Sequence, residues 1–549
     1  MDLVLVGLPG SGKTAVGKRL ANRYGATFID LDDEIESRTG RTIAEIFAED
    51  GEPAFRALER EIVAGLGAPD PTPGKVRRVI SPGGGAVMDP RNRWQLYRGR
   101  LAVWLDVRPE VVAQRLRRSP NVRPLVQGPD PLGRIRTLAA SRERFYGAAI
   151  RVNGLAELGG VVGAITKLVE AWQPGRATTL LRATTPIGEV VVGEGVAADA
   201  VGAALARAGA RRALLVSEPG AWEAFGQELA DRLSANGWPV ETVMLPAGEA
   251  AKRLPVIEEA ARDLARRRAE RKEPLVAIGG GALGDPAGFL AAAYLRGVPW
   301  IQVPTTLVAQ VDSSIGGKTG VDLPEGKNLL GAFHHPMAII LDVAALRTLP
   351  ERQLRAALGE IIKMAGLGDE ALFATLEAEV AAVATGDRGA FERGVLAELV
   401  ERAGWAKVNV VVADERETAG STGRISLNLG HTVAHAIEAV DGYESLMHGE
   451  AVAYGLRAAC RIGVAVGTTP PERAARIETL LTRAGLALAP LAFDAADVVA
   501  ATGTDKKHAD GRLRWVFPTA DGYLVRDDVP VETVEAAVRS VLAGMETGA

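Results

Sequence analysis

The octapeptide GLPGSGKT, residues 7–14, stands directly after the apolar run LVLV and directly before the amphipathic run AVGKRLANRYG. That placement constrains the fold more than any other feature of the chain. A glycine loop of this pattern works where a β-strand ends and a helix begins, because the curled backbone and the positive end of the helix dipole then face a phosphate chain. Gly10, Ser11 and Gly12 form the cradle, Lys13 can reach the β- and γ-phosphates, and the Thr14 hydroxyl can ligate Mg2+. The expectation is a site for ATP or GTP at the edge of a parallel sheet. The next strand signal ends in FIDLDDEI, which puts Asp30 and Asp32 on one face at i and i+2, near where parallel strands deliver ligands. One of the two suits the metal and the other an acceptor hydroxyl.

Short apolar strands (LVLVG, RVI, AVWLDV) alternate with charged amphipathic stretches as far as KLVEAWQ, the pattern of a parallel sheet covered by helices. The small, polar PGRATT then interrupts before LLRATTPIGEVVVGEG opens a new strand pattern, so a linker is placed at 174–177. A second α/β region, 178–343, carries the strand signals RRALLVSE, VETVMLP, PLVAIGGG and WIQVPTT. Beyond about residue 344 the chain reads almost wholly as alanine-rich helix. The expected fold class is α/β: a parallel-sheet, three-layer domain over 1–173, an α/β half over 178–343 and a mainly helical half over 344–549.

Bulk properties exclude several classes. With 64 basic against 68 acidic residues the net charge is −4, so no excess positive field draws the chain to nucleic acid or an anionic membrane, and any anion site must be local. The single cysteine, Cys460, lies in the apolar run AVAYGLRAACRIG. It rules out an internal disulfide framework and suits a reducing, cytoplasmic setting. The start MDLVLVGLPG lacks a basic leader region, and no apolar stretch reaches membrane-spanning length, so a soluble chain is expected.

Three of the six histidines fall between 431 and 448, in LNLGHTVAHAIE and LMHGE. His431 and His435 stand at i and i+4, on one face of a helix, and a loop carrying His448 could bring a third nitrogen to them. A metal site fits this crowding; two core or capping histidines and one loop histidine fit it equally, and spacing alone would make His431 and His435 the ligating pair. Upstream, PLVAIGGGALGDPAGFLAAAYLRG reads as strand, glycine turn and helix, with Pro286 in the first helical turn. A pyrophosphate could lie on this turn, although its spacing is not G-x-G-x-x-G.

Read together, IDLDDEIESRTGRTIAEIFAEDGEPAFRALE, PGGGAV, NVRPLV and SRERFY resemble shikimate kinase over nearly all of residues 1–172. The resemblance implies a P-loop kinase fold with ATP as co-substrate and Mg2+ held by Thr14 and Asp30. Shikimate would be held by Asp32, Arg56, Gly84 and Arg142, its carboxylate calling for the arginines. Arg123, in QRLRRSPNVRP, would close over ATP as part of a lid that excludes water. Lys13, Asp32 and Arg123 are the catalytic candidates of this part.

From about residue 178 onward, VPTTLVAQVDSSIGGKTGVDLPEGKNLLGAFHHP, GEIIK, KVNVVVADERE, GRISLNLGHTVAHAIE, MHGEAVAYG and TDKKH resemble 3-dehydroquinate synthase, in order. The resemblance implies Glu360, His431 and His448 as ligands of Zn2+ or Co2+, with His435 beside them rather than ligating. It implies NAD held by Glu249, Lys252, Gly280, Gly281, Asp285, Thr305, Thr306, Lys318, Lys327 and Thr348. The implied substrate, 3-deoxy-arabino-heptulosonate 7-phosphate, carries a carboxylate and a phosphate. Arg296, Asp312, Lys318, Asn328, Lys363, Lys407, Arg424, Asn428 and Lys506 or its neighbour Lys507 would contact it, with Lys318, Lys363 and His435 as catalytic candidates. Glu360 and Lys363, at i and i+3, can share one helical face. The stretch TAGSTG before Arg424 is longer than the usual family turn. A homodimer through this part is also implied.

The expected activity is bifunctional: ATP-dependent phosphorylation of shikimate, and NAD- and metal-dependent conversion of the heptulosonate phosphate to 3-dehydroquinate with phosphate release. Two rivals stand beside it. A metal-dependent polyol dehydrogenase would share the C-terminal architecture but release NADH, and an ATP-binding N-terminal part could regulate without transferring phosphate.

Overall fold

A computed structural model describes residues 1–118, 130–175, 177–420, 422–487, 489–503, 508–509 and 512–544. The chain divides into two compact units, Met1–Thr184 with Val190–Val196, and Thr185–Glu189 with Ala197–Ala549.

The first unit is built on parallel strands β1 (Asp2–Val6), β2 (Thr27–Asp30), β3 (Arg78–Ser81), β4 (Leu101–Asp106) and β5 (Ile150–Asn153), in the order β2-β3-β1-β4-β5. Central β1 is buried along its length, which is why its apolar run shows no polar alternation. Its one charge, Asp2, is compensated by Arg78 at 2.5 Å and Arg100 at 3.1 Å. Leu3, Leu5, Leu20, Val79, Val103 and Ile165 share one core cluster. Each such side chain contributes roughly 1.5–3 kcal/mol on leaving water.

The chain leaves β1 through the glycine loop and enters the helix Lys13–Tyr24 at Gly12, whose φ of 101° favours glycine. No side chain caps this helix, so its first-turn donors remain available to an anion. β2 ends at Asp30, which caps the helix Leu31–Thr39 by accepting from Asp32 N at 3.3 Å. Asp32 is therefore in a helical first turn and not on the strand. The expected i, i+2 strand face is corrected, because an aspartate here caps the helix and ends extension.

After the paired strands β6 (Thr178–Thr185) and β7 (Gly188–Glu194), the second unit carries β8 (Ala213–Ser217), β9 (Val240–Met244), β10 (Leu275–Gly279) and β11 (Trp300–Pro304). A hairpin of β12 (Lys318–Leu323) and β13 (Gly326–Phe333) precedes β14 (Ala338–Asp342). The parallel core runs β14-β11-β10-β8-β9. The helix Gly281–Ala293 follows β10 directly, so Pro286 lies inside it, past the first turn where its missing N–H would cost nothing. That expectation is corrected: the helix already begins at Gly281, the last glycine of the run, with Gly280 as its extended N-cap.

From Glu351 helices dominate, including Glu351–Gly366, Val395–Ala413, His431–Val440 and His448–Ala465. They are not the whole of this region. Trp515–Pro518 and Tyr523–Arg526 pair as an antiparallel hairpin, two four-residue strands whose aromatic and β-branched residues set them apart from the alanine-rich helices. Among the described residues no helix is long and apolar enough to cross a membrane. Cys460 is buried and free.

Candidate active sites

In the first unit a cavity of about 880 Å³ is lined by Gly10, Gly12, Lys13 and Thr14 from the glycine loop, Asp30 and Asp32 beyond β2, Arg56, Gly84 from the turn after β3, and Arg142. Ser11 is buried within the loop. Lys13 Nζ donates to the carbonyls of Gly7 at 3.0 Å and Leu8 at 3.2 Å. Thr14 Oγ1 donates to Asp30 Oδ2 at 3.0 Å, which sets side by side the two oxygens expected to share Mg2+. Arg142 is 3% exposed, and its Nε and Nη1 have no hydrogen-bond partner. Buried guanidinium donors in this state are costly, and an anionic group in the cavity would satisfy them. Arg123 lies outside the described residues.

Arg56 is held by Glu52 and Glu59, each at 2.8 Å. Glu59 was not singled out in the sequence, where only its i, i+3 spacing from Arg56 in PAFRALE could have flagged it. It is 1% exposed, and burial pushes its carboxyl up to about 7 against the pull of Arg56. The pair is lopsided: despite its own burial Arg56 is held above its ordinary value, while Glu59 does not recover the cost of leaving water.

In the second unit Glu360 sits within the helix Glu351–Gly366, while His431 and His448 are the first residues of the helices His431–Val440 and His448–Ala465. His448 is thus helical, which corrects its expected place in a loop: its Met447 neighbour and Glu450 form a capping box that starts the helix there. Glycine sets the helix approach. A Cβ on Gly449 would lie 1.9 Å from Ala356 O, and one on Gly359 would lie 2.2 Å from Gly449 O, so larger residues would separate the helices carrying Glu360 and His448.

His431 Nε2 and His448 Nε2 each lie 3.2 Å from Glu360 Oε1. One ligand atom from each of the three falls within 4.8 Å of the others. Lys363 Nζ approaches Glu360 Oε2 to 2.5 Å, yet neither carboxylate oxygen receives a well-directed hydrogen bond. One oxygen and two nitrogens with bonding capacity to spare fit Zn2+ or Co2+, leaving a position open. Burial, with Lys363 nearby, lowers His431 to about 4, which favours a neutral ring able to act as a ligand. Burial opposes charge on His448 as well, but Glu360 and Glu438 outweigh it and hold this ring above its ordinary value.

His448 Nδ1 meets Glu438 Oε1 at 3.0 Å, which orients the ring with Nε2 toward Glu360. Glu438 was also not singled out; its only signal is the i, i+3 spacing from His435. The His435 ring lies 5.3 Å from His431 and 6.1 Å from His448, beside the triad. Of the i, i+4 pair, His431 is the one placed against Glu360.

Beside the triad lies a chain of charges in which Lys363 and Lys407 are buried and Asp312 is half-buried. Lys363, 1% exposed, stands between Glu360 and Asp312, the latter at 3.7 Å, and Lys407 meets Asp312 Oδ1 at 2.6 Å. Burial lowers Lys407, and although burial works against Asp312, Lys407 holds that carboxyl below its usual range. Arg424 is buried and donates to Gly316 O at 3.2 Å and Glu415 O at 2.8 Å, and it shares the short segment Gly423–Asn428 with Asn428. Lys318 instead pairs with Glu417 at 2.7 Å on the surface. Arg296 is exposed at a φ of 65°. Lys506 and Lys507 lie outside the described residues.

Around the glycine turn, Gly280 precedes the helix that begins at Gly281, where a Cβ would lie 2.7 Å from Ser313 Oγ. Asp285 on that helix meets Lys252 at 2.9 Å. Thr305 is buried, and Thr306 Oγ1 accepts from Ala309 N at 3.3 Å. Lys327 lies 3.5 Å from Glu249, and Asn328 N donates to Asp322 Oδ1 at 2.7 Å. Thr348 is exposed at the end of the segment Val343–Thr348.

Comparison with known proteins gives the family of each part of the chain. Residues 9–155 match the shikimate kinase family, residues 242–356 the family 3-dehydroquinate synthase N-terminal, and residues 357–508 the family 3-dehydroquinate synthase C-terminal. The 3-dehydroquinate synthase of Synechococcus sp. strain CC9605 is 43% identical over 350 residues, 63% of this chain and 92% of that protein. That of Pseudomonas aeruginosa is 45% identical over 306 residues, 55% of this chain and 81% of that protein. Among solved structures, 2-epi-5-epi-valiolone synthase from Streptomyces hygroscopicus subsp. jinggangensis, with NAD+ and Zn2+ bound, is 27% identical with a TM-score of 0.59, covering 64% of this chain and 96% of that one. The chain belongs to the 3-dehydroquinate synthase family and carries a shikimate kinase domain as well, which makes it a bifunctional kinase and synthase of the shikimate pathway.

Proposed function

We propose that residues 1–173 phosphorylate shikimate from ATP and that 178–343 and 344–549 together convert 3-deoxy-arabino-heptulosonate 7-phosphate to 3-dehydroquinate, with 174–177 as linker. The observation that carries the reading is double convergence: Lys13, Thr14, Asp30, Asp32, Arg56 and Arg142 on one cavity, and Glu360, His431 and His448 around one point.

In the kinase, Arg56 and Arg142 hold the shikimate carboxylate beside Gly84, and Asp32 takes the proton of the attacking hydroxyl. Lys13 leaves its loop carbonyls to offset the charge spreading over the transferred phosphoryl oxygens, and Gly10, Ser11 and Gly12 orient the rest of the nucleotide. Thr14 and Asp30 hold Mg2+, and Arg123 closes over the nucleotide. In the synthase, Glu360, His431 and His448 hold Zn2+ or Co2+, and Gly280, Gly281, Asp285, Lys252, Glu249, Thr305, Thr306, Lys318, Lys327 and Thr348 hold NAD. When bound, the metal polarises a substrate hydroxyl and NAD takes up and returns a hydride. Lys363, Lys407, Arg424 and Lys318, with Arg296 and Lys506, counter the substrate's carboxylate and phosphate, while Asp312, Asn328 and Asn428 orient its hydroxyls. His435, beside the metal ligands, is placed to move a proton.

The synthase part pairs as a homodimer, and the setting is cytoplasmic. The test follows phosphate release and absorbance from NADH together. Phosphate released with no net NADH supports the reading; steady NADH accumulation would favour a polyol dehydrogenase.

A further inference from the structure

Tyr443 occupies a backbone position that favours glycine. Its φ is 63°, and Gly442 before it has φ 67°. Left-handed backbone at a large aromatic is uncommon and is retained where the surroundings over-determine it. The surroundings here do so. Tyr443 N donates to Glu438 O at 3.0 Å, closing the helix His431–Val440. Asp441 Oδ2 then accepts from the backbone N–H groups of Glu444 at 3.1 Å, Ser445 at 2.8 Å and Leu446 at 3.2 Å, and Asp441 Oδ1 accepts from the Ser445 hydroxyl. The connection between the helices that start at His431 and His448 is therefore a built loop with a tyrosine fixed near its tip.

The ring is 48% exposed, so it is not kept for core packing. Its face lies 4.2 Å from Lys327 Nζ on β13, a cation–π contact. The same ammonium lies 3.5 Å from Glu249. The turn end of the same hairpin is tied down independently, since Asp322 N donates to Lys252 O at 2.8 Å and Asp322 Oδ1 accepts from Asn328 N at 2.7 Å. Tyr443 thus reaches from the histidine-bearing helices to the polar row Lys327–Glu249 and Lys252–Asp285.

We propose that Tyr443 is a positioning residue for the dinucleotide: its ring fixes the Lys327 ammonium against Glu249, coupling the metal-bearing helices to the NAD site. The inference rests on the assignment of Lys327 to NAD made above. The strain explains the choice of residue, because glycine would relax the backbone and lose the ring.

The test uses the full chain with Tyr443→Gly, Tyr443→Phe and Lys327→Met, reading NAD half-saturation by direct equilibrium titration without substrate, and beside it KM for the heptulosonate phosphate and kcat. Tyr443→Gly suits the backbone, so a folding defect is not built into the variant. It should raise NAD half-saturation about two- to five-fold, the worth of an exposed cation–π contact, with kcat at saturating NAD and the other KM retained. Tyr443→Phe, which keeps the ring, should remain near the parent. An unchanged NAD half-saturation in Tyr443→Gly overturns the proposal, as does an equal loss in Tyr443→Phe or a parallel rise in both half-saturation values. If Lys327→Met raises NAD half-saturation and Tyr443→Gly does not, only the role of Tyr443 fails. If Lys327→Met has no effect, the assignment of Lys327 to NAD fails and the proposal with it.

Discussion

The two sites handle charge in opposite ways. The kinase cavity is open, about 880 Å³, and presents groups whose bonding is incomplete or provisional: Arg142 with unpaired donors, Lys13 folded back on Gly7 and Leu8. The synthase site is a dense chain of compensated charges, from Glu360 through Lys363 and Asp312 to Lys407, with His431 and His448 closing it. An open site of this kind keeps its structure when one group is lost because water replaces it, and only the chemistry of that group goes. A largely buried chain does not, because removing one member strands its neighbour in a poor solvent.

The strongest way to break this contrast is Glu360→Gln. Synthase turnover should fall by roughly 10³-fold or more through loss of the metal, while shikimate phosphorylation in the same preparation stays at the parent level. The matching change in the open site, Lys13→Ala, should lower phosphorylation by roughly 10²–10³-fold and leave phosphate release from the heptulosonate phosphate untouched. Cross-effects in either variant, measured on both reactions, would mean that the sites are not independent.

A finer probe is Glu438→Gln, which frees the His448 ring without removing a ligand. Competition with a chelator should show metal affinity lowered about 10- to 100-fold. Glu59 tests the kinase side. Its folded value near 7 lies above the ordinary 4.5, so the stabilisation it gives is complete below about pH 4.5 and is lost as pH rises through 7. Urea unfolding followed by kinase activity should show up to about 3 kcal/mol of loss across that window in the parent and a flatter profile in Glu59→Gln. A steeper profile in the variant would reverse the sign of the argument. The smallest effect concerns Cys460, whose thiol burial pushes up to about 12. A thiol reagent should leave both activities unchanged and react only in denaturant.

What the sequence revealed differed between the sites for the same reason that their physics differs. The phosphate site is local: loop, strand end and helix start lie within residues 2–30, so one contiguous motif specifies backbone and chemistry together. Even there Asp32 was placed on a strand, because the capping role of Asp30 turns the chain into a helix one residue later. The metal site is assembled from helices far apart in sequence. The grouping of Glu360, His431 and His448 came from the family pattern, whereas spacing alone pairs His431 with His435. Glu59 and Glu438 escaped because a carboxylate at i+3 is ordinary on any helix surface; what sets them apart is burial, which only packing decides. Pro286 was placed one turn early because nothing in a run of three glycines marks where helical dihedrals begin.

The central claim is two activities on separate sites of one chain. The direct measurement is phosphate release from the heptulosonate phosphate with NAD and Zn2+, before and after a zinc-selective chelator, run beside ATP-dependent phosphorylation of shikimate. Both signals should be present at first, and the chelator should abolish only phosphate release. Loss of both on chelation, or absence of either at the outset, would contradict the account.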